Sequence, residues 1–548
     1  MRERAKKGGI SVHGIAGSYV VLVGMDVTEQ MRKGLLGFSI ERIDRTEDER
    51  YWLKGFKTFE QSASQNPGTL VSTLNNPIQD FQWGDYTAKP GHTYVYRVVP
   101  AYGTPENLTH GPEVELTIST EAEDEGSHAV FFNRGVAGSQ AYVRKFGNVP
   151  PYEVEDNKAF EWLSRGLLEG MVRFIRQANG SSWSIRASVY EFTYIPILEE
   201  FRAAIDRGVD VRIIYDNKAN GPGEANRNAL RKAKIDSKFA IPRNANPSYI
   251  SHNKFILLLK NDKPVEVWTG STNITDGGIF GHSNVGHIIR DEGVAAAYMD
   301  YWNMLSQDPQ AKKLRTWCDS NNPVPGGRLA NQFIQPIFSC RGSLTALEWY
   351  AEKMDSAKSS VFFTAAFGIN KLFEDVLKED KPYLRFILLD KPGKGLDIIR
   401  GDRDNQISVG GVLDENALDK WLNSRWKEEK LTGLNKHVQY IHTKYMLLDP
   451  LGDDPIVITG SANFSKNSTI NNDENMVVIR GNGRVADMYL GEFMRLYDHF
   501  RFRGTQLGDK AKSRKGKKPS LYLTPDDSWT NAHFQAGHPK QKQRLLFS

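Results

Sequence analysis

The 548-residue sequence predicts an α/β protein of two similar halves packed as a pseudo-dimer, with an all-β sandwich ahead of them. Three observations predict this class. Residues 1–122 hold short β-rich runs separated by turn residues. From residue 129 onward, a strand–helix–strand pattern occurs twice. A polar set, His-x-Lys followed by Gly-Ser-x-Asn, also occurs twice, at one fixed offset. The expected domains are 1–122, 129–330 and 331–507, with a basic tail at 508–548.

The N-terminal runs are SYVVLVGM, LGFSIERI and EVELTI. In KPGHTYVYRVVPAYG, Pro90-Gly91 makes a turn, and Tyr94, Tyr96 and Val98 alternate towards one face. This stretch resembles the F strand of a fibronectin type III domain, which implies a binding or spacer module. EAEDEGSH at 121–128 is acidic and polar and reads as a linker.

In the first half, AFEWLSRGLLEGMVRFIRQA is amphipathic at helical spacing. SIRASVYEF then reads as a strand, IPILEEFRAAIDRG as a helix and VDVRIIYD as a strand. That order implies a right-handed crossover and a parallel pair. The second half repeats it with LTALEWYAEKMDSA, SVFFTAAFGI, KLFEDVLKED and YLRFILLD. Two such halves packed face to face bring their matched motifs to a shared seam. The site then forms within one chain.

The first motif runs HNKFILLL and then VWTGSTNIT, with His252, Lys254, Gly270, Ser271 and Asn273. The second runs HTKYMLLD and then VITGSANFS, with His442, Lys444, Gly460, Ser461 and Asn463. An offset of 190 superimposes them without a gap, and His to Gly is 18 residues in both. His-x-Lys followed by apolar residues reads as a strand with His and Lys on one face. A second strand (VEVW, PIVI) then ends at Gly-Ser-x-Asn, where a loop aims a hydroxyl and an amide at the same place. Two halves give two imidazoles and two ammonium groups around one point, which suits a phosphodiester. The lysines neutralise the equatorial oxygens of the transition state. One His attacks phosphorus, and the other protonates the leaving oxygen. This chemistry calls for no cofactor and no metal.

The constellation resembles the phospholipase D superfamily, whose signature is His-x-Lys-x4-Asp followed by Gly-Ser-x-Asn. The likeness covers about residues 129–505. The second copy carries the whole signature, with Asp449 five residues after Lys444, whereas Leu259 fills that place in the first. The resemblance implies that Asp449 braces the fold and that Ser271, Asn273, Ser461 and Asn463 support a bound phosphate. NNDENMVVI resembles the segment whose Glu orients the catalytic His of its own half, and Glu474 falls on it. HSNVGHII takes the corresponding place in the first half and sets Asn284 opposite Glu474. An amide orients an imidazole but stabilises an imidazolium less than a carboxylate does. The family also implies a phosphohistidine on the N-terminal His. His252 is therefore the expected nucleophile and His442 the expected acid.

A hydrophobic content of 39% and a charged content of 25% suit a globular enzyme. No apolar run approaches the ~18–20 residues of a membrane span. MRERAKKGGISVHG has a basic head without an apolar h-region, so no secretory signal is expected. Cys318 and Cys340 are the only cysteines, which predicts no disulfide framework and no zinc spacing. The cytoplasm is the expected location.

The net charge of +5 is unevenly placed: residues 501–548 carry +8, and the rest carry −3. KAKSRKGKKP at 510–519 would attract nucleic acid or an anionic membrane surface. LYLTPDDSW and the final RLLFS hold apolar residues able to dock back onto the body. Segment 216–250, rich in Asn, Gly and basic residues, reads as a phosphate-backbone track or an ordinary polar loop over the cleft.

Glu191 and Phe367, at matched strand ends, are weaker pocket candidates. Asp216 and Asp390 end strands where clefts form and read as structural, and Trp268 reads as core. DNA or RNA is the first expected substrate class, with phospholipid headgroups as the alternative, for an exported enzyme. A phosphodiester-binding protein without turnover is the third reading.

Overall fold

Turn residues cut the N-terminal region into antiparallel strands, which form two larger sheets and a two-stranded pair, Lys54–Gly55 with Val71–Ser72. The first pairs Arg2–Lys7, Ile10–Ala16, Val21–Val27 and Gln82–Asp85 in that order. The second pairs Asn107–His110, Thr93–Thr104, Gly37–Asp44 and Glu49–Trp52, with Val114–Ser119 also on Thr93–Thr104. Val12, Val21 and Val23 of one sheet share a core with Phe38, Ile40, Tyr94, Tyr96 and Val98 of the other. This computed structural model describes all residues except 62–69, 136–138, 148, 246–248, 328, 394, 411–440 and 514–521.

Contacts divide the chain into two units. One holds Met1–Glu123, Lys381–Leu384 and Gly483–Ser548; the other holds Asp124–Asp380 and Arg385–Asn482. In this division the α/β unit runs to Asn482, short of residue 507, where the second half is expected to close. Helix Gly483–Ser513 groups with the sandwich, where Asp487 meets Arg2 at 2.8 Å and Asp498 accepts from the Tyr86 hydroxyl at 2.5 Å.

Residues 522–548, expected as part of a tail, are built into the same unit. Trp529 stacks on Phe81 at 5.2 Å and donates its Nε1 to the Leu35 carbonyl at 2.7 Å. Phe547 is fully buried, and its carbonyl lies 1.9 Å from where a Cβ on Gly24 would stand. Glycine is required at position 24 by that approach. The apolar residues of LYLTPDDSW and RLLFS overrule the basic composition around them, because burying them removes apolar surface from water. The side chains of KAKSRKGKKP lie outside the described residues.

The second unit contains two seven-stranded sheets of identical strand order. The first runs His128–Phe132, Val285–Ile289, Lys263–Gly270, Lys254–Lys260, Trp183–Val189, Asp210–Asp216, Ala240–Arg243. The second runs Ile334–Ser339, Glu474–Arg480, Ile456–Gly460, Tyr445–Leu448, Ser360–Ala365, Leu384–Leu389, Asn405–Val409. Trp183–Val189 and Asp210–Asp216 are parallel, with helix Ile195–Asp206 between them in sequence. FILLL is buried throughout, as in a sheet covered on both faces. One face packs Phe174, Phe201, Ile213, Leu258 and Trp268 into a core, and Trp268 stacks on Phe131 at 5.5 Å.

Two local expectations are corrected. AFEWLSRGLLEGMVRFIRQA forms two helices, Lys158–Ser164 and Leu167–Arg176. Arg165 and Gly166 between them have φ of 51° and 87°, the left-handed turn that ends a helix. Segment 216–250 is not a loop: it contains helix Gly223–Lys232 and strand Ala240–Arg243. Its Arg243 is buried and bonds Asp473 at 2.9 Å, so that charge is internally satisfied.

The two sheets meet along helix Glu292–Ser306. Tyr298 packs on Phe255 and Phe338 at 5.0 and 5.1 Å, and Tyr301 stacks on Phe338 at 4.3 Å. Asn475 ties the halves by bonding Thr269 and Asn253 at 2.6 and 2.8 Å. Both cysteines are free and buried. Among the described residues, no helix is long and apolar enough to cross a membrane.

Candidate active site

Gly270 and Gly460 close the strands that lead into the site. A Cβ on either would stand 2.2 Å from a carbonyl of the neighbouring strand, Val285 or Asn475, so only glycine fits. Close approach lets the next residue serve that strand. Ser271 Oγ accepts from Val285 N at 3.1 Å and donates to the Asn284 side chain at 2.8 Å. Ser461 Oγ does the same for Asn475 N at 3.0 Å and Glu474 at 2.8 Å.

The His-x-Lys residues are held differently from expectation. The strand starts at Lys254 in the first half and at Tyr445 in the second, so both histidines precede their strands. The opposite half draws them out. Ser251 forms a parallel bridge with Asp473, and Ile441 one with Ser283. His252 N donates to the Asp473 carbonyl at 2.9 Å, and His442 N to the Ser283 carbonyl at 3.0 Å. Asp216 and Asp390 fix the preceding backbone, accepting from Ser251 N and Ile441 N at 2.9 Å each. Each lysine turns back to its own histidine. Lys254 Nζ donates to the His252 carbonyl at 2.7 Å, and Lys444 Nζ to that of His442 at 2.6 Å.

The orienting groups cross between halves. Glu474 meets His252 Nδ1 at 2.8 Å, and Asn284 Oδ1 meets His442 Nδ1 at 2.9 Å. The expectation that Glu474 serves the histidine of its own half is therefore corrected. The cross-half bridges carry each histidine past its own sheet to the first residues of the other's orienting strand. The two imidazoles face each other with centroids 6.4 Å apart and planes at 79°. All four His and Lys side chains are buried, as are Glu474 and Asn284.

Strand register exposes a second asymmetry. Ala187 opposite Ile256 matches Phe363 opposite Met446, so Tyr190 and Glu191 correspond to Ala366 and Phe367. Tyr190 packs on His252 at 5.0 Å, and Lys254 Nζ lies 5.2 Å from its ring centre. Glu191 accepts from Asn273. Phe367 instead stands 43% exposed. Asn463, the counterpart of Asn273, has like it a side-chain oxygen with no partner among the described residues. A tyrosine thus packs against the histidine of the first half, at the position where the second half has Ala366.

Asp449 stands apart from this cluster. It follows strand Tyr445–Leu448, at the far end from Lys444, and accepts from the backbone N–H groups of Lys358, Ser359 and Ser360 at 2.6–2.9 Å. Leu259 in the first half sits beside a β-bulge instead. Sequence reasoning missed Tyr190 and His282. Their signals were faint: one adjoins Glu191, and the other lies two residues before Asn284.

Burial lowers the affinity of every basic group here for protons. His252 is pulled down to about 4 by burial, which outweighs the Glu474 carboxylate. His442 falls well below its ordinary value through burial and then the positive Lys444 and Lys254. Lys444 is lowered by burial and by Lys254, and Lys254 by burial. Burial raises Glu191. A further negative charge brought beside the two histidines and two lysines would raise all four again.

The sequence profile of the family described as "Cardiolipin synthase, PLD-like domain" matches residues 171–305 and 351–497, together just over half of the chain. No curated protein matches the chain. Among solved structures, it is similar to phosphatidylserine synthase of Haemophilus influenzae, at 13% identity and a TM-score of 0.40, over 61% of this chain and 85% of that one. It is also similar to a phospholipase D family member, Nuc, from Salmonella typhimurium, at 21% identity and a TM-score of 0.21, over 31% and 96%. The yeast tyrosyl-DNA phosphodiesterase shares 10% identity, with a TM-score of 0.28, over 56% and 84%. With the profile matching once in each α/β half, the chain belongs to the phospholipase D superfamily as a fused pair of PLD-like domains.

Proposed function

We propose that this phosphodiesterase cleaves polynucleotides through a phosphohistidine on His252. The observation that carries the mechanism is the pair of facing imidazoles with unequal partners, a carboxylate on His252 and an amide on His442. Glu474 holds the Nδ1 proton of His252, which leaves the Nε2 lone pair free to attack phosphorus. The P–N bond forms and the P–O ester bond breaks; His442, which takes up a proton at Nε2 from solvent when the phosphodiester anion binds beside it, gives that proton to the leaving oxygen. Water then attacks phosphorus, the P–N bond breaks, and the water proton returns to His442. Lys254 and Lys444 balance the phosphoryl charge throughout. Glu474 is the better partner for the phosphorylated, cationic ring, which supports His252 as nucleophile.

For the substrate, the reading rests on charge. Residues 501–548 carry +8 against −3 in the rest, a distribution suited to a polyanion. One observation favours phospholipid headgroups instead. Phe367 is exposed, just beyond strand Ser360–Ala365, whose Thr364 bonds the Thr443 carbonyl at 3.0 Å. An aromatic ring at that position could touch acyl chains.

The test compares wild type with His252→Ala in EDTA. Substrates are plasmid, single-stranded DNA, RNA and phosphatidylcholine/phosphatidylglycerol vesicles. The expected result is polynucleotide cleavage that survives EDTA and disappears in the variant. Headgroup release with intact polynucleotide would transfer the chain to the lipid reading. Activity abolished by EDTA and restored by a divalent ion would overturn the mechanism.

A further inference from the structure

A third imidazole stands in the site, and the two-histidine mechanism does not use it. His282 is 1% exposed, and neither of its ring nitrogens has a partner among the described residues. A buried polar group left unpaired costs about 1–3 kcal/mol, so such atoms are normally satisfied. The backbone of His282 is fixed. Its N–H donates to the Gly277 carbonyl at 2.8 Å, and its carbonyl accepts from Asn133 at 2.7 Å. The side chain is therefore set in place with its hydrogen-bonding capacity unspent.

Its position is on the His442 side. The two ring centres are 6.2 Å apart, with planes at 45°. His128 and His287 show what direct contact requires: a 3.0 Å nitrogen–nitrogen bond with centroids 5.1 Å apart. The wider gap between His282 and His442 fits one oxygen atom bonded to both rings at about 2.8 Å. Among the described residues, the second half has no equivalent third imidazole. There the matched residue is Asn472, whose amide bonds Glu474 at 3.3 Å and so supports an orienting group. Burial and the nearby Lys444 hold His282 neutral, with a value of about 4. A neutral imidazole has one donor and one acceptor nitrogen.

We propose that His282 is a further catalytic residue that holds the attacking water against the phosphohistidine. This deepens the phosphodiesterase reading and rests on it. Water has two O–H groups. One is donated to His442, which takes that proton as the O–P bond forms and the P–N bond breaks. The other is donated to the acceptor nitrogen of His282, with no net proton transfer there. An alcohol has one O–H group, which goes to His442, and it gains nothing from His282 as acceptor. His282 thus biases the intermediate towards hydrolysis over transfer.

The experiment uses the full chain with bis(p-nitrophenyl) phosphate and added methanol. Wild type, His282→Ala and His282→Gln are compared. The p-nitrophenolate burst reports the first step, because this leaving group needs no acid. The ratio of methyl p-nitrophenyl phosphate to p-nitrophenyl phosphate reports the fate of the intermediate. That ratio is the same for any amount of folded enzyme, so a partial folding defect does not move it. The expected result is a methanol-to-water ratio raised about tenfold in His282→Ala, the worth of one hydrogen bond. In His282→Gln, whose amide oxygen can accept from water, the ratio should return towards wild type. An unchanged ratio in His282→Ala would overturn the inference while leaving the phosphodiesterase intact. A wild type that releases no p-nitrophenolate and cleaves no polynucleotide would overturn both.

Discussion

Replacing Glu474 with Gln keeps the shape of the group that holds His252 and removes its charge. The contact is 2.8 Å long, and Glu474 is fully buried, so solvent screens it little. A hydrogen bond to a charged group contributes about 1.5–3 kcal/mol. The cationic phosphohistidine feels that loss and the neutral resting ring does not, so the barrier to its formation rises by a similar amount. The first-step rate should fall about 10- to 150-fold. The assay is the rapid-mixing burst of p-nitrophenolate from bis(p-nitrophenyl) phosphate. Asn284→Ala is the control. It loosens His442, which this leaving group does not need, so the burst should persist while steady-state turnover drops. A burst lost in Asn284→Ala and retained in Glu474→Gln would refute the assignment and make His442 the nucleophile.

Two further outcomes are expected. His252 and His282 titrate at about 4 in the folded chain against 6.5 in the ordinary group, so the unfolded chain takes up protons first as pH falls. Their contribution is complete above 6.5 and is lost as pH falls to about 4, with roughly 2 kcal/mol per histidine gone by pH 5. His282→Gln should therefore lose less stability than wild type between pH 7 and 5, measured by the urea midpoint of the unit that holds it; equal losses would count against the buried, neutral His282. Asp449→Ala removes the acceptor for the backbone of Lys358–Ser360 and should cost about 1–3 kcal/mol in urea unfolding, with kcat little changed. A large loss of kcat in the folded variant would give Asp449 a direct role instead.

Local periodicity and fixed spacing carry part of this protein in the chain itself. The 190-residue offset predicts the duplicated fold, and the structure repeats it as two sheets of one strand order. The β-rich N-terminal region, the buried Trp268 and the glycines before Ser271 and Ser461 follow from patterns a few residues long. Other features depend on contacts between residues far apart in sequence. Glu474 serves His252 rather than His442 because bridges 222 residues long, Ser251 to Asp473, cross the seam. No spacing within either half encodes that exchange. His282 reads as an ordinary residue until the fold buries it without a partner beside His442. The C-terminal residues read as a charged tail because composition averages over them. Four apolar side chains, Leu523, Trp529, Phe534 and Phe547, decide their placement once a sandwich surface exists to receive them. Sequence alone thus determined which groups are available for chemistry. Tertiary structure decided which of them face each other, because burial and partner choice are properties of the assembled seam.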